Sequence, residues 1–258
     1  MMRRFEEFKK LHYNEIPFLL GNVWNVPTAV QYEKLGFKAI GTSSAAIASE
    51  LGYEDGENMS FEEYFFMIKR ITSAVKIPLS VDLEAGYGNT AEEIISNIVK
   101  LHEIGIVGIN LEDSVVNNGI RNLKNTVEFA EKVKTIVEGL TKRNIAIFIN
   151  IRCDVFLLNL ENALEEAKQR IKIYESCGID GIFLPCITNE NDIKEIAVFT
   201  KLPLNVMCMP NLPNFKVLNM LGVKRISMGN FLNNYLNSQF EKLTKRVLEE
   251  NSFVSIFE

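Results

Sequence analysis

Eight short apolar runs alternate with eight amphipathic segments along 258 residues, and that repeat predicts a (β/α)8 barrel. Two further observations support it. Runs such as Ile145–Ile151 are nearly continuous in apolar, β-branched residues, as in parallel strands buried on both faces. Glycines at 36, 105, 178 and 222 close helical segments just before the next run, where a residue of positive φ is favoured. A chain of about 250 residues suits one barrel, so residues 1–258 are read as a single domain. The competing class is a doubly wound open sheet, but no GxGxxG follows the first run.

The elements follow in order. The first 16 residues read as an extra helix that closes the barrel base. The predicted strands are Phe18–Trp24, Ala39–Ser43, Leu79–Leu83, Gly108–Leu111, Ala146–Ile151, Gly181–Leu184, Leu204–Met207 and Arg225–Met228. Phe61–Val75 places Phe61, Tyr64, Phe65, Ile68 and Ile71 on one helical face. Ala91–Glu103 opens after Thr90, with Glu93 completing a capping box. A last helix near Leu232–Leu248 precedes the apolar tail Phe253–Phe257, which suits packing on a second subunit or on this chain's own core.

Composition excludes several classes. Hydrophobic residues at 47% and charged residues at 24% rule out wholesale disorder and collagen-like sequence. A net charge of −5 argues against a nucleic-acid partner. No apolar stretch approaches the roughly 18–20 residues of a membrane span, and MMRRFEEFKK lacks the apolar region of a secretion signal. A cytoplasmic protein is expected, with no membrane partner. The four cysteines, Cys153, Cys177, Cys186 and Cys208, form no CxxC pair and read as buried small hydrophobes. With only His12 and His102, a His-based triad is not expected.

In a barrel, chemistry gathers at the C-terminal strand ends. The third run ends VDLEAGYG, and alternation would point Asp82 and Glu84 to one side. The fourth ends INLEDS, with Glu112 and Asp113; the fifth ends NIRCD, with Asn150, Arg152 and Asp154. Clustered carboxylates suit a hard cation with oxygen ligands, so Asp82, Glu84 and Glu112 are candidates for a Mg2+ site, directly or through water. The alternative is that these residues pair with one another across the mouth. Arg152 keeps its proton, and its fork suits a substrate carboxylate or phosphonate. Small residues in GTSSAAIAS make Ser43 and Ser44 candidates for holding a carboxylate or carbonyl oxygen, in what reads as a Ser-rich turn. Asp55, in the polar loop LGYEDGE, is placed to reach the mouth.

Taken as an ordered set, GNVWN at 21–25, GTSSAAIASELGYEDGE at 41–57, VDLEAGYG at 81–88, NLEDS at 110–114, INIRCDVF at 149–156 and PLNVM at 203–207 resemble the isocitrate lyase / phosphoenolpyruvate mutase superfamily. The similarity is to its short carboxyvinyl-carboxyphosphonate phosphorylmutase-like branch. The resemblance implies Mg2+-dependent chemistry, with Mn2+ as the alternative ion, on small 2-oxo or 2-hydroxy acids through an enolate-like state. It implies Asp82, Glu84 and Glu112 as metal residues, and Asp55 and Arg152 as catalytic residues. Substrate binding would involve Trp24, Ser43, Ser44, Ala45, Asp82, Arg152 and Asn205. It also implies a homodimer or homotetramer, with residues 232–258 exchanged between subunits.

Departures from the pattern narrow the chemistry. VVNNGIRNLKN at 115–125 stands where the lyases carry a Cys- and His-containing lid, and the mutase lid is absent too. A short lid is expected, with Asn117, Asn118 and Arg121 left to touch a ligand. C–C cleavage is therefore favoured. The alternatives are P–C bond chemistry of the phosphoenolpyruvate mutase or phosphonopyruvate hydrolase type, and a non-catalytic metabolite-binding barrel. Glu84 stands where many members have Asp, and Ser44 where they have Gly.

Overall fold

Parallel pairing with a closed strand order is the defining feature of the computed structural model, which describes residues 2–258. Its strands are β1 (Phe18–Val23), β2 (Ile40–Thr42), β3 (Leu79–Asp82), β4 (Gly108–Glu112), β5 (Ser114–Asn117), β6 (Ile120–Leu123), β7 (Phe148–Arg152), β8 (Gly181–Leu184), β9 (Leu204–Met207) and β10 (Arg225–Ser227). The barrel closes in the order β1-β10-β9-β8-β7-β4-β3-β2. All eight expected runs are strands of this barrel, and it is the (β/α)8 fold that the repeat predicts.

Helices pack outside it. They include α1 (Met2–Leu11), α2 (Val26–Lys34), α3 (Ser44–Glu50), α4 (Phe61–Ser73), α5 (Ala91–Glu103), α6 (Thr126–Lys142), α7 (Ala163–Tyr174), α8 (Glu190–Phe199), α9 (Phe215–Met220), α10 (Phe231–Glu250) and α11 (Val254–Phe257). Capping boxes start α4 at Ser60 with Glu63 and α5 at Thr90 with Glu93, each satisfying two otherwise orphaned N–H groups. The α1 helix closes the base, where Phe5 and Phe8 pack with Phe18, Leu20 and Phe148. His12 stacks on Phe148 with ring centres 3.9 Å apart.

Register does the positioning. Asp82 sits beside Asn110 across β3 and β4, and Glu112 beside Arg152 across β4 and β7. Residues far apart in sequence thus reach the same end of the barrel.

Three local expectations need correction, and the segment expected as a short lid takes a defined form. The turn after β2 is helix α3, because Ser43 caps it by accepting from the Ala46 N–H. The segment expected as a short lid is an antiparallel hairpin, β5–β6, turned at Asn118 and Gly119 with φ of 52° and 75°. That pair of positive φ values is the signature of a two-residue hairpin turn. Cys186 is half-buried and Cys208 exposed, so only Cys153 and Cys177 are buried small hydrophobes. Alternation does not carry Asp82 and Glu84 to one side, because β3 ends at Asp82 and Glu84 is left-handed at φ 51°. Gly86 follows at φ 115°, where a Cβ would lie 2.7 Å from Ile94, so this tight exit from the strand requires glycine.

Candidate active site

The C-terminal mouth of the barrel holds a cavity of about 380 Å³. Ser43, Ser44, Ala45, Asp55, Asp82 and Arg152 of the expected residues all line it. Asn22, Asn110, Arg121, Leu157, Leu158, Phe183 and Met207 complete much of the wall. Trp24 is buried in the main core and Asn205 lies beneath the floor; neither lines the cavity, nor do Glu84 and Glu112.

Asp82 is the carboxylate best placed on the floor. Its Oδ2 accepts from the Ser44 hydroxyl at 3.0 Å and its Oδ1 from Asn110 Nδ2 at 3.3 Å. Behind it runs a chain of amides. Asn150 donates to Asn110 Oδ1 at 2.9 Å and to Asn205 Oδ1 at 3.2 Å. Asn205 in turn donates to backbone carbonyls of Val206 and Arg225. Asn22 accepts from the N–H groups of Met228 and Gly229, and its amide donates to Thr42, tying β1 to both neighbours. Asn22 and Asn110 were missed as site residues. Their signal is an Asn in the middle of an otherwise apolar strand, repeated at 22, 110, 150 and 205.

Glu84 turns under the rim. Its carboxylate accepts from the Glu57 N–H at 2.7 Å and the Tyr87 hydroxyl at 2.9 Å. Burial, reinforced by the charges of Asp55, Glu112 and Asp82, pushes it up to about 8. Glu112 is held between two arginines: Oε1 accepts from Arg121 Nη1, and Oε2 lies 2.9 Å from Arg152 Nη1 without hydrogen-bond alignment. Burial raises Glu112 despite Arg152 and Arg121. Arg152 Nε also donates to Asp154 Oδ1 at 2.6 Å. These carboxylates hold Arg152 well above its ordinary range, overriding its burial. Asp55 accepts from Arg121 Nη2 at 3.1 Å, with 41% of its side chain meeting solvent. The walls of the mouth still desolvate its carboxyl enough to raise it against Arg121.

The pairing alternative thus holds for Glu112 and Asp154. Asp82, Glu84 and Glu112 do not surround one point, and among the described residues no three His, Cys, Asp or Glu side chains are arranged to hold an ion. Backbone conformation turns Glu84 away, and the arginines occupy Glu112. What remains fits a largely hydrated ion. Mg2+ commonly keeps several waters and takes only one or two protein carboxylates. Asp82 accepts only two hydrogen bonds of the roughly four a carboxylate can take.

Comparison with known proteins agrees with this architecture. The phosphoenolpyruvate phosphomutase family model matches residues 8–248. A Mycobacterium tuberculosis protein of unassigned function is 30% identical over 222 residues, covering 86% of this chain and 81% of its own. The 2-methylisocitrate lyase of Shewanella oneidensis is 28% identical over 203 residues, covering 76% and 68%. A phosphonopyruvate hydrolase solved with oxalate and Mg2+ superposes with a TM-score of 0.81 at 21% identity, covering 96% of this chain and 88% of that one. No helix among the described residues is long and apolar enough to cross a membrane. The chain belongs to the phosphoenolpyruvate phosphomutase family, within a superfamily of lyases and mutases acting on small carboxylic acids.

Proposed function

We infer that the chain is a Mg2+-dependent lyase or hydrolase that cleaves a C–C bond of a small 2-oxo or 2-hydroxy (di)carboxylic acid through an enolate-like state. One observation carries this reading: Arg152, Asp82 and the Ser43–Ala45 segment meet on a single cavity. Arg152 holds a substrate carboxylate, for which its planar fork is suited. The Ser43 hydroxyl and the backbone at Ser44 and Ala45 hold the oxygen on which charge develops. Asp82 is the protein ligand for the cation, with Glu84 and Glu112 acting from outside its direct reach. When bound, Mg2+ or Mn2+ would polarise the 2-oxo group and offset enolate charge. Asp55 gives or takes the proton; its raised carboxyl lies closer to working pH, as proton transfer favours. Trp24 and Asn205 serve substrate binding from behind the walls, by positioning.

P–C bond chemistry is the second reading, favoured by the hairpin that brings Arg121 over the cavity and so supplies a cover. A barrel that binds a metabolite without turning it over is the third.

Oligomerisation is part of the same reading. Tyr235, Phe240, Leu248, Phe253 and Phe257 are exposed along α10 and α11, which suits a homodimer or homotetramer exchanging residues 232–258. The protein would work in the cytoplasm.

The test is a turnover screen with and without Mg2+ over oxaloacetate, 2-methylisocitrate, citramalate, 2,3-dimethylmalate and phosphonopyruvate. Pyruvate, oxalate, CO2, phosphate and phosphoenolpyruvate are read out. Mg2+-dependent pyruvate or oxalate without phosphate or phosphoenolpyruvate is expected. Phosphate or phosphoenolpyruvate from phosphonopyruvate alone selects the second reading, and ligand binding without any product across the panel selects the third.

A further inference from the structure

We propose that Arg121 sets the substrate class of this cavity by taking the second acidic group of a dianionic substrate, while Arg152 takes the first. The proposal rests on the functional reading above and deepens it.

Two carboxylates staple two guanidiniums side by side. Glu112 meets Arg121 through Oε1 and Arg152 through Oε2. Asp154 meets Arg152 through Oδ1 at 2.6 Å and Arg121 through Oδ2 at 3.3 Å. Ser114, at the root of the hairpin, donates to Asp154 at 2.5 Å and accepts from Arg121 at 2.8 Å. The closed ring carries two positive and two negative groups, and Asp55 adds a third carboxylate from outside it, on Arg121 Nη2 at 3.1 Å. A guanidinium has five N–H donors in a rigid fork. Among the described residues, no protein acceptor takes Arg121 Nε or Arg152 Nη2. Both arginines line the cavity, with side-chain exposures of 14% and 13%. A monocarboxylate needs one such fork. Two arginines locked together on one wall, each keeping a donor that no protein acceptor takes, match two acidic groups on one small molecule.

The origin of the two arginines separates their roles. Arg152 ends a barrel strand and is present whatever the lid does. Arg121 stands on β6, paired with Val116 of β5, so it arrives only with the hairpin. A ligand offering a second acidic group is therefore also the one that fastens the cover.

Three ligands test this because they share a 2-oxo acid skeleton. Pyruvate has one acidic group, 3,3-difluorooxaloacetate adds a carboxylate, and phosphonopyruvate adds a phosphonate. Their Kd values are measured by titration calorimetry at saturating Mg2+ on the wild type, Arg121→Gln and Arg152→Lys. Arg121→Gln should weaken the dianions roughly 10- to 100-fold, the scale of a lost charge-assisted pair, and pyruvate by less than about twofold. Loss for only one dianion identifies the second group as carboxylate or phosphonate. Arg152→Lys should weaken all three. Equal loss for pyruvate and the dianions in Arg121→Gln, or no loss, overturns the proposal, because a merely structural arginine would affect all ligands alike. Should Arg121→Gln fail to fold, Arg121→Lys keeps the charge on Glu112 and removes the fork; the same selective loss is required of it. Wild type binding pyruvate, with no selectivity in the variants, refutes the role of Arg121 alone. Wild type binding none of the three refutes the functional reading with it.

Discussion

Acid should loosen this barrel from its base, and His12 is the reason. Its ring stacks on Phe148 and meets Phe8 and Phe18 edge-on. Nδ1 bonds the Phe8 carbonyl at 3.0 Å, while Nε2 is buried without a partner. Burial, with the charge of Arg225 nearby, lowers its pKa from 6.5 to about 3. The unfolded chain therefore binds a proton that the folded chain refuses between those values. Stability from this residue is complete above pH 6.5 and drains as pH falls toward 3. From pH 7.5 to 4.5 the loss is about two decades of proton affinity, or about 3 kcal/mol. Buried acids with raised pKa, Glu84 among them, act in the opposite direction, so total stability alone does not isolate the effect.

The comparison that isolates it is His12→Phe, assayed by urea unfolding across that pH range. The variant loses the bond to the Phe8 carbonyl and should be weaker by about 1 kcal/mol at pH 7.5. It should be stronger by about 2 kcal/mol at pH 4.5, the two curves crossing near about pH 6. Parallel curves would refute the reasoning, since they would mean that His12 binds its proton equally well in both states.

Other outcomes follow from the mouth. Asp82→Ala should abolish Mg2+-dependent turnover while leaving the circular dichroism and unfolding midpoint near wild type, because Asn110 keeps the bond it accepts from Asn150 and Ser44 lines the cavity; full activity in the folded variant would sink the site assignment. Arg152→Lys should cost more affinity for a 2-oxo acid than for Mn2+, read by calorimetry on each; equal losses would make Arg152 only a partner of Glu112 and Asp154. Gly86→Ala should destabilise by roughly 1–3 kcal/mol in urea, from its positive φ and the approach of Ile94; a neutral result would mean that the strand exit relaxes freely.

Much of the fold was legible because strands such as β7 and β8 are runs too apolar to lie anywhere but inside a covered sheet. Gly178 and Gly222 marked the helix ends through their positive φ. The site was legible where a polar residue ended such a run, as at Asp82 and Arg152. It was not legible where conformation overrides alternation, as at Glu84. The hairpin turn was written in Asn118–Gly119, but its strands alternate too weakly to stand out. Arg121 was named as able to touch a ligand, but its pairing was not readable: its acidic partners lie 9, 33 and 66 residues away, and only the closed barrel brings them together.

The amide chain behind Asp82 has a consequence for how this protein responds to its medium. Asn110, Asn150 and Asn205 carry no titratable proton, so these three links are blind to pH; Arg225, whose Nη2 donates to Asn110 Oδ1 at 3.3 Å, is drawn down by burial only to about 9 and keeps its charge below that. Had the same span been bridged by histidines or acids, each proton gained would have reshaped the floor. Here a pH–rate profile reads the groups at the rim and the substrate itself, while the aim of Asp82 stays constant below about pH 9.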